Sequence, residues 1–291
     1  MKRKMALAFL TALFVLGLCG CGTGGSSASP LPSGSTGSAQ AAETLRVYCF
    51  AAGKADAILL TTPHSAVLID TGESGFGKEI VSWLKAQGIS SLDALILTHF
   101  DQDHVGGSAK VLKSVPVERV LQSDCPKDSS EYAAYLSALD AAGLTAQTVR
   151  QTVSFSLDGV SYTVDPPRQA DYAVDSSNNS SLIVSAAYGE RRFLFAGDAE
   201  DDRLREFLEE HPGTYDFLKV PYHGHWQEIL PEFLQTVQPA YAVITCSDKE
   251  PEDSETVSAL TDAGTQVFLT RKGPVLAESD GTSLRVQYDL S

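Results

Sequence analysis

The run Thr98-His99-Phe100-Asp101-Gln102-Asp103-His104-Val105-Gly106-Gly107 constrains this chain more than any other segment. It carries four side chains able to ligate a metal, His99, Asp101, Asp103 and His104, directly after the apolar stretch Ala94-Leu95-Ile96-Leu97. A buried strand fixes the backbone at its end, and a tight glycine-flanked loop then turns several side chains toward one point. Imidazole and carboxylate donors at this spacing suit one or two divalent cations. A solvated acidic loop with a helix-capping Asp is the plainer alternative. Two His, two Asp and paired glycines in this register are rare by chance, so the segment reads as a metal-binding turn.

The rest of the chain limits what that turn can serve. Its 291 residues accommodate one large α/β domain or two small ones, a length that buries a core without disulfide or metal staples. With 22 Lys+Arg against 37 Asp+Glu, the formal net charge is −15. Such a surface repels phosphate backbones and anionic headgroups, which argues against broad, sequence-independent nucleic-acid binding. The 5 cysteines are too sparse for a disulfide scaffold and show no metal-type pairing.

Residues 1–21 have the form of an export signal: Lys2-Arg3-Lys4, an apolar run from Met5 to Leu18, then Leu18-Cys19-Gly20-Cys21. The apolar run falls short of the roughly 20 residues a membrane-spanning helix needs. Leu18-Cys19-Gly20-Cys21 resembles a bacterial lipobox, in which acylated Cys21 becomes the new N-terminus; an ordinary cleaved signal peptide is the alternative. Residues 22–43 are Gly/Ser-rich and carry no charge before Glu43, as suits a flexible tether. The expected organisation is therefore a signal at 1–21, a linker at 22–43 and a folded domain over 44–291. The expected location is the outer face of a bacterial cell membrane.

Within the domain, short β runs interleave with helices. The pattern predicts strands over 45–50, 57–61, 66–70, 93–98, 217–220, 240–245, 266–270 and 284–288, with a hairpin over 181–196. It predicts helices over 77–87, 129–142, 199–210, 230–237 and 254–263. The stretch 122–180 gives the weakest pattern, and no internal repeat is evident in the sequence. Strands first, then alternating strands and helices, indicate α/β layers with mixed sheets.

His99-x-Asp101-x-Asp103-His104 resembles the His-x-(His/Asp)-x-Asp-His motif of the metallo-β-lactamase fold, and with Val105-Gly106-Gly107 it resembles the soluble domain of ComEC-type competence proteins. Further segments agree in order: Gly53-Lys54-Ala55-Asp56-Ala57-Ile58, Leu68-Ile69-Asp70-Thr71-Gly72, Asn178-Asn179-Ser180-Ser181-Leu182, Phe195-Ala196-Gly197-Asp198 and Lys219-Val220-Pro221-Tyr222-His223-Gly224. The resemblance covers nearly all of Leu45–Tyr288. It implies an α/β fold, a metallo-β-lactamase-like four-layer αββα sandwich with mixed sheets.

The resemblance also implies two divalent metal ions. His99 and Asp101 would hold the first, Asp103 and His104 the second, with Asp198 bridging, His223 completing the second and Asp70 orienting the loop. Asp103 counts among the catalytic residues as well as the ligands, and His225, or Tyr222, would protonate a leaving oxygen. The chain departs from the family where Tyr222-His223-Gly224-His225 replaces His-His-Gly-Ser, where Lys54 and Ala55 replace Gln and Gly, where Ala51 stands for a common Asp, and where the downstream His-Pro element is missing. Extra carboxylate and fewer imidazoles shift preference from Zn²⁺ toward harder ions such as Mn²⁺.

The implied activity is metal-assisted hydrolysis. A phosphodiester or other phosphate ester, small or oligonucleotide, is the first expected substrate. A lactam or lactone is the second, and a surface binding module with a degenerate metal site is the reading from another class. Lys110, Lys113, Arg191, Arg192, Lys219, Arg271 and Lys272 are the cations from which a local basic patch would have to come.

Overall fold

The fold is that of a computed structural model that describes residues 44–289. The expected signal, the Gly/Ser linker and the anchor at Cys21 lie outside the described residues.

Alternation along the strands sets the architecture. In β1 (Leu45–Cys49), Leu45, Val47 and Cys49 enter one apolar cluster while Tyr48 enters another. β2 (Ile58–Thr61) and β3 (Ala66–Ile69) repeat this: Ile58, Leu60, Val67 and Ile69 face the first cluster, Leu59 and Leu68 the second. β4 (Leu92–Leu97) follows suit, with Ala94 and Ile96 opposite Leu95 and Leu97. Successive side chains of a strand point to opposite faces, so a strand apolar on both faces must be covered on both. These strands are.

The first sheet also contains β5 (Val117–Gln122), β6 (Gln147–Thr148), β14 (Val275–Ser279) and β15 (Leu284–Tyr288), in the order β15-β14-β1-β2-β3-β4-β5-β6. Pairing is antiparallel from β15 to β3 and parallel from β3 to β6. The second sheet has the order β13-β12-β11-β10-β9-β8-β7. Its members are β7 (Val153–Leu157), β8 (Val160–Asp165), β9 (Ile183–Tyr188), β10 (Arg191–Phe195), β11 (Phe217–Lys219), β12 (Tyr241–Ile244) and β13 (Gln266–Leu269). It is antiparallel from β7 to β10 and parallel from β10 to β13. The two sheets thus share one plan that the sequence does not display as a repeat.

Between the sheets lies the central core, where Val47, Leu60 and Ile96 meet Val184, Phe193, Phe217 and Val243. Helices α1 (Gly77–Ala86), α3 (Ser108–Ser114) and α4 (Ser130–Ala141) cover the outer face of the first sheet through Ile80, Leu84, Val111, Leu112, Tyr135 and Ala138. Helices α5 (Asp201–Glu210), α6 (Leu230–Val237) and α7 (Ser254–Asp262) cover the second through Leu204, Phe207, Phe233, Leu234 and Leu260. The layers run αββα, as the resemblance implies. No helix among the described residues is long and apolar enough to cross a membrane.

Most predicted elements form within a residue or two of their expected ends. The helix predicted from Ala199 begins at Asp201, where the side-chain Oδ1 of Asn179 accepts from the Glu200 and Arg203 amides and so satisfies donors of the first turn from outside the helix. The weakly patterned stretch 122–180 contains the β7–β8 hairpin, turning on Asp158 (φ 43°) and Gly159 (φ 80°). An Asp-Gly pair with both residues at positive φ matches the twist of a two-residue hairpin.

Candidate metal centre

The site lies where strand ends of both sheets meet, and interlocked loops build it. After β3 the Asp70 amide donates to the Ile96 carbonyl (2.9 Å), the Thr71 amide to the His104 carbonyl (2.8 Å) and the Gly72 amide to the Asp56 carbonyl (2.7 Å). The one-turn helix α2 (Gln102–Val105) presents Asp103 and His104 from the end of β4. It can press onto the β3 loop only because Gly106 and Gly107 follow. A Cβ on Gly106 would lie 2.3 Å from the Ser74 nitrogen, and one on Gly107 2.2 Å from the Thr71 oxygen. The paired glycines of the motif are thus explained by close backbone approach.

From the second sheet, the turn after β10 delivers Asp198 and the 3₁₀ turn Pro221–Gly224 after β11 delivers His223. Tyr222 (φ 47°) and His223 (φ 52°) are consecutive left-handed residues, a conformation that persists only where the surroundings over-determine it. The Tyr222 amide donates to the Gly197 carbonyl (3.2 Å), and His223 Nδ1 bonds Thr245 Oγ1 (2.9 Å).

Four donors converge. His104 Nε2 lies 3.2 Å from Asp198 Oδ2 and 3.4 Å from His223 Nε2, and His223 Nε2 lies 3.0 Å from Asp198 Oδ2 and 3.3 Å from Asp103 Oδ2. One ligand atom from each of Asp103, His104, Asp198 and His223 falls within 4.8 Å of the others. The opposite edges of both imidazoles are fixed. His104 Nδ1 donates to Asp70 Oδ2 (2.8 Å), while Asp70 also accepts from the Thr98 amide (2.8 Å) and hydroxyl (2.6 Å). Thr245 gives its hydroxyl proton to Asp56 Oδ1 (2.7 Å), so it accepts from His223 Nδ1. With Nδ1 carrying the proton in each ring, both Nε2 lone pairs are directed at the same point.

His99 and Asp101 stand beside this group. His99 is fully buried; its Nδ1 approaches Thr98 Oγ1 (3.2 Å) and Ser181 Oγ (3.4 Å), and its Nε2 has no hydrogen-bond partner. That orphaned nitrogen is 4.0 Å from Asp101 Oδ1. Asp101 is engaged elsewhere, by Lys127 Nζ and Ser177 Oγ. Asp198 Oδ1 is likewise buried without a hydrogen bond, 3.6 Å from Lys219 Nζ. Beneath the site, buried Lys219 forms an ion pair with Asp56 and donates to the Gly197 carbonyl (3.0 Å). At the rim Lys54 Nζ lies 3.5 Å from Asp103 Oδ2.

The electrostatics follow from this crowding. Burial opposes charge on His104, but Asp198 and Asp70 outweigh it and hold its pKa well above the usual value; Asp198 and Asp103 raise His223 in the same way. Burial also opposes ionisation of Asp198 and Asp103, yet the neighbouring imidazoles keep both carboxyls below their usual range. For His99, burial and then nearby His104 act together and lower the pKa to about 4. Two unpartnered buried donor atoms, two aligned imidazole lone pairs and surplus carboxylate are what a divalent cation requires. The residues fit a metal.

The other sequence expectations divide. His225 is outside the convergent group: its Nδ1 lies 3.6 Å from Asp253 Oδ2 and its ring packs on Tyr222, centroids 4.9 Å apart. Among the expected surface cations, Arg191 is taken by Asp216 (2.7 Å), Arg271 by Glu252 (3.0 Å), and Lys219 is buried. The partly exposed lysines at the site are instead Lys54 and Lys127. Lys127, Ser177 and Thr245 carried no signal in the sequence, whereas Lys219, expected as a surface cation, is buried on Asp56, and its place in the apolar run Phe217-Leu218-Lys219-Val220 is the signal that could have shown it.

Comparison with known proteins gives the family. The sequence profile described as the Metallo-beta-lactamase superfamily matches residues 51–247. The chain belongs to this superfamily. It is 32% identical over 216 residues to ComE operon protein 3 of Bacillus subtilis (66% of this chain, 27% of that protein). It is 26% identical over 213 residues to Recombination protein 2 of Haemophilus influenzae (72% of this chain, 25% of that protein). Both relatives are of the ComEC type, and the chain spans about a quarter of their length. Among solved structures, the metallo-beta-lactamase fold protein YhfI from Bacillus subtilis aligns with a TM-score of 0.54 at 10% identity, covering 77% of this chain and 96% of that one. Igni18, a metallo hydrolase from Ignicoccus hospitalis, aligns with a TM-score of 0.51 at 12% identity, covering 84% and 99%. These structural likenesses bear on the fold.

Proposed function

We propose that the domain is a metal-dependent hydrolase acting on a phosphodiester or related phosphate ester. The observation that carries this reading is the convergence of His104 and His223 on Asp198, each ring held from behind by a dedicated acceptor. Asp103, His104, Asp198 and His223 would hold one divalent cation, and His99 and Asp101, sharing Asp198, a second. Bound there, the cation supplies Lewis-acid polarisation of the ester and a lowered pKa for the attacking water.

The chain's own groups do the rest in this reading. Asp103, largely buried but open to solvent at the rim of the group, orients the incoming water. Lys54 beside it offers positive charge to an anionic substrate in a domain whose overall charge disfavours one. His225, partly exposed and steadied by Asp253, passes a proton to the leaving oxygen. Water is consumed, one P–O bond breaks, and a phosphomonoester and an alcohol result. Carboxylate-rich donors favour Mn²⁺ over Zn²⁺. Tethering through Cys21 would place this activity at the outer membrane face, and Cys21→Ser would then release the protein.

The test is to strip the purified chain with chelator, restore each metal, and follow bis(p-nitrophenyl) phosphate beside a chromogenic lactam. Mn²⁺-dependent phosphodiester cleavage is expected. Lactam turnover alone moves the substrate class, and no turnover with either metal leaves a binding module.

A further inference from the structure

Asp101 contributes its Oδ1, the oxygen nearest the unpartnered His99 Nε2 at 4.0 Å, to a different set of contacts. That oxygen accepts from both the Lys127 ammonium and the Ser177 hydroxyl, and Lys127 Nζ also reaches Ser177 Oγ at 3.3 Å. A cation shared between His99 and Asp101 would meet an ammonium already seated on its carboxylate ligand. Like charges at such separations repel strongly where water is scarce. In the four-donor group of Asp103, His104, Asp198 and His223 the one ammonium beside a convergent atom is looser: Lys54 Nζ stands 3.5 Å from Asp103 Oδ2, whereas Lys127 is hydrogen-bonded directly to Asp101 Oδ1.

The charges point the same way. The touching groups comprise five carboxylates (Asp56, Asp70, Asp101, Asp103 and Asp198) and three ammonium groups (Lys54, Lys127 and Lys219). With imidazoles serving as neutral ligands, that leaves an excess of two negative charges. One divalent cation cancels it; a second would add two positive charges to a group already neutral, beside the partly exposed Lys127.

We propose that Lys127 is a built-in counter-ion at the His99–Asp101 position, so that the centre holds one divalent cation tightly and a second only weakly. This rests on reading the site as a cation centre. Removing the ammonium leaves only the neutral Ser177 hydroxyl on that oxygen, and a hydroxyl can rotate away and opposes a cation far less than a charge does.

The experiment uses the full chain, stripped and titrated with Mn²⁺, read by equilibrium dialysis with elemental analysis and by electron paramagnetic resonance. Wild type and Lys127→Arg should take up one tight ion with a mononuclear spectrum. Lys127→Met, which keeps the side-chain bulk, should bind a second ion roughly tenfold or more tightly than wild type, with an exchange-coupled spectrum. The Lys127 side chain is 38% exposed, and comparable urea midpoints for the metal-free variants confirm that folding is intact. Two ions of equal affinity in wild type, or an unchanged second site in Lys127→Met, overturns the proposal while leaving the cation centre standing. A chain that binds no Mn²⁺ overturns the cation centre and the proposal together.

Discussion

Asp70 Oδ2 lies 2.8 Å from His104 Nδ1, and this one bond decides which nitrogen of His104 faces Asp198. An ionised carboxylate only accepts, so Nδ1 carries the proton and Nε2 the lone pair. Asp70 already accepts twice from Thr98, and it does so from a left-handed backbone position, φ 56°.

Asp70→Asn is therefore not a mild change. Its amide must turn an NH₂ toward either the Thr98 amide or the Thr98 hydroxyl and His104, setting donor against donor. Metal affinity should fall about 10- to 100-fold, and the metal-free protein should lose about 1–3 kcal/mol. Calorimetric metal titration and urea unfolding measure the two; an unaltered affinity would show that Asp70 does not orient the ligand.

Cation binding should release protons. His104 and His223 have raised pKa values, so the metal-free protein keeps protons on these rings to higher pH than free imidazole does, and any such proton at Nε2 must leave before the ring can ligate. Each raised imidazole contributes stability to the metal-free fold at low pH that is lost as pH rises through its folded pKa. Metal affinity runs the opposite way, weakening by up to about a hundredfold per pH unit on acidification when two protons are displaced. Titrations in buffers of different ionisation enthalpy count the protons. A count of zero contradicts the assignment of these two ligands.

His99 behaves differently. Its pKa is lowered to about 4, so the folded state disfavours its charged form. It should cost the metal-free protein about 1 kcal/mol per pH unit between pH 6.5 and 4, because the unfolded chain binds the proton first. Comparing urea midpoints of wild type and His99→Gln across that range isolates the effect; parallel curves would mean that His99 is not buried neutral.

Arg203 is a support behind the site. It is 1% exposed and spans Asp165 (2.8 Å) and the Ser181 carbonyl (3.1 Å), holding the segment before β9, whose Ser181 hydroxyl accepts from the Asp198 amide. Arg203→Met should destabilise by about 3–5 kcal/mol, since it strands a buried carboxylate. Thermal unfolding of the metal-free variant gives the value. A loss under about 1 kcal/mol would mean that Thr152 and His211 satisfy Asp165 unaided.

Gly107→Ala tests the loop packing. The added methyl meets the Thr71 oxygen at 2.2 Å, so the turn bearing Asp103 and His104 must shift. A loss of about 1–3 kcal/mol is expected, together with weaker metal binding; Gly143→Ala, with nothing near its Cβ, should not change metal binding.

What the sequence disclosed follows from the range of each interaction. The strand entering the motif and the amphipathic helices were legible because apolar periodicity is local, and the ligand turn was legible because four donors lie within six positions. Asp198 and His223 became visible only through the family resemblance, since a lone Asp or His after a strand has many uses. Lys127 and Thr245 stayed hidden. Their roles arise from contacts with Asp101 and Asp56 across 26 and 189 residues, and nothing in their local surroundings records such partners. β7 and β8 were missed although Val153-Ser154-Phe155-Ser156-Leu157 alternates cleanly before Asp158-Gly159, a hairpin signal lost within a polar stretch.

The Thr245–Asp56 bond has a consequence in time. Its partners are 189 positions apart, so the frame that aims His223 at Asp198 does not exist until translation has passed β12 and the second sheet has docked on the first. Contacts of such separation are late and slow to close. A growing or truncated chain can display the whole ligand turn of residues 99–104 and still lack a cation centre. Whatever reaction the finished centre performs, a nascent polypeptide lacks it until residue 245 has been made and the two sheets have closed on each other.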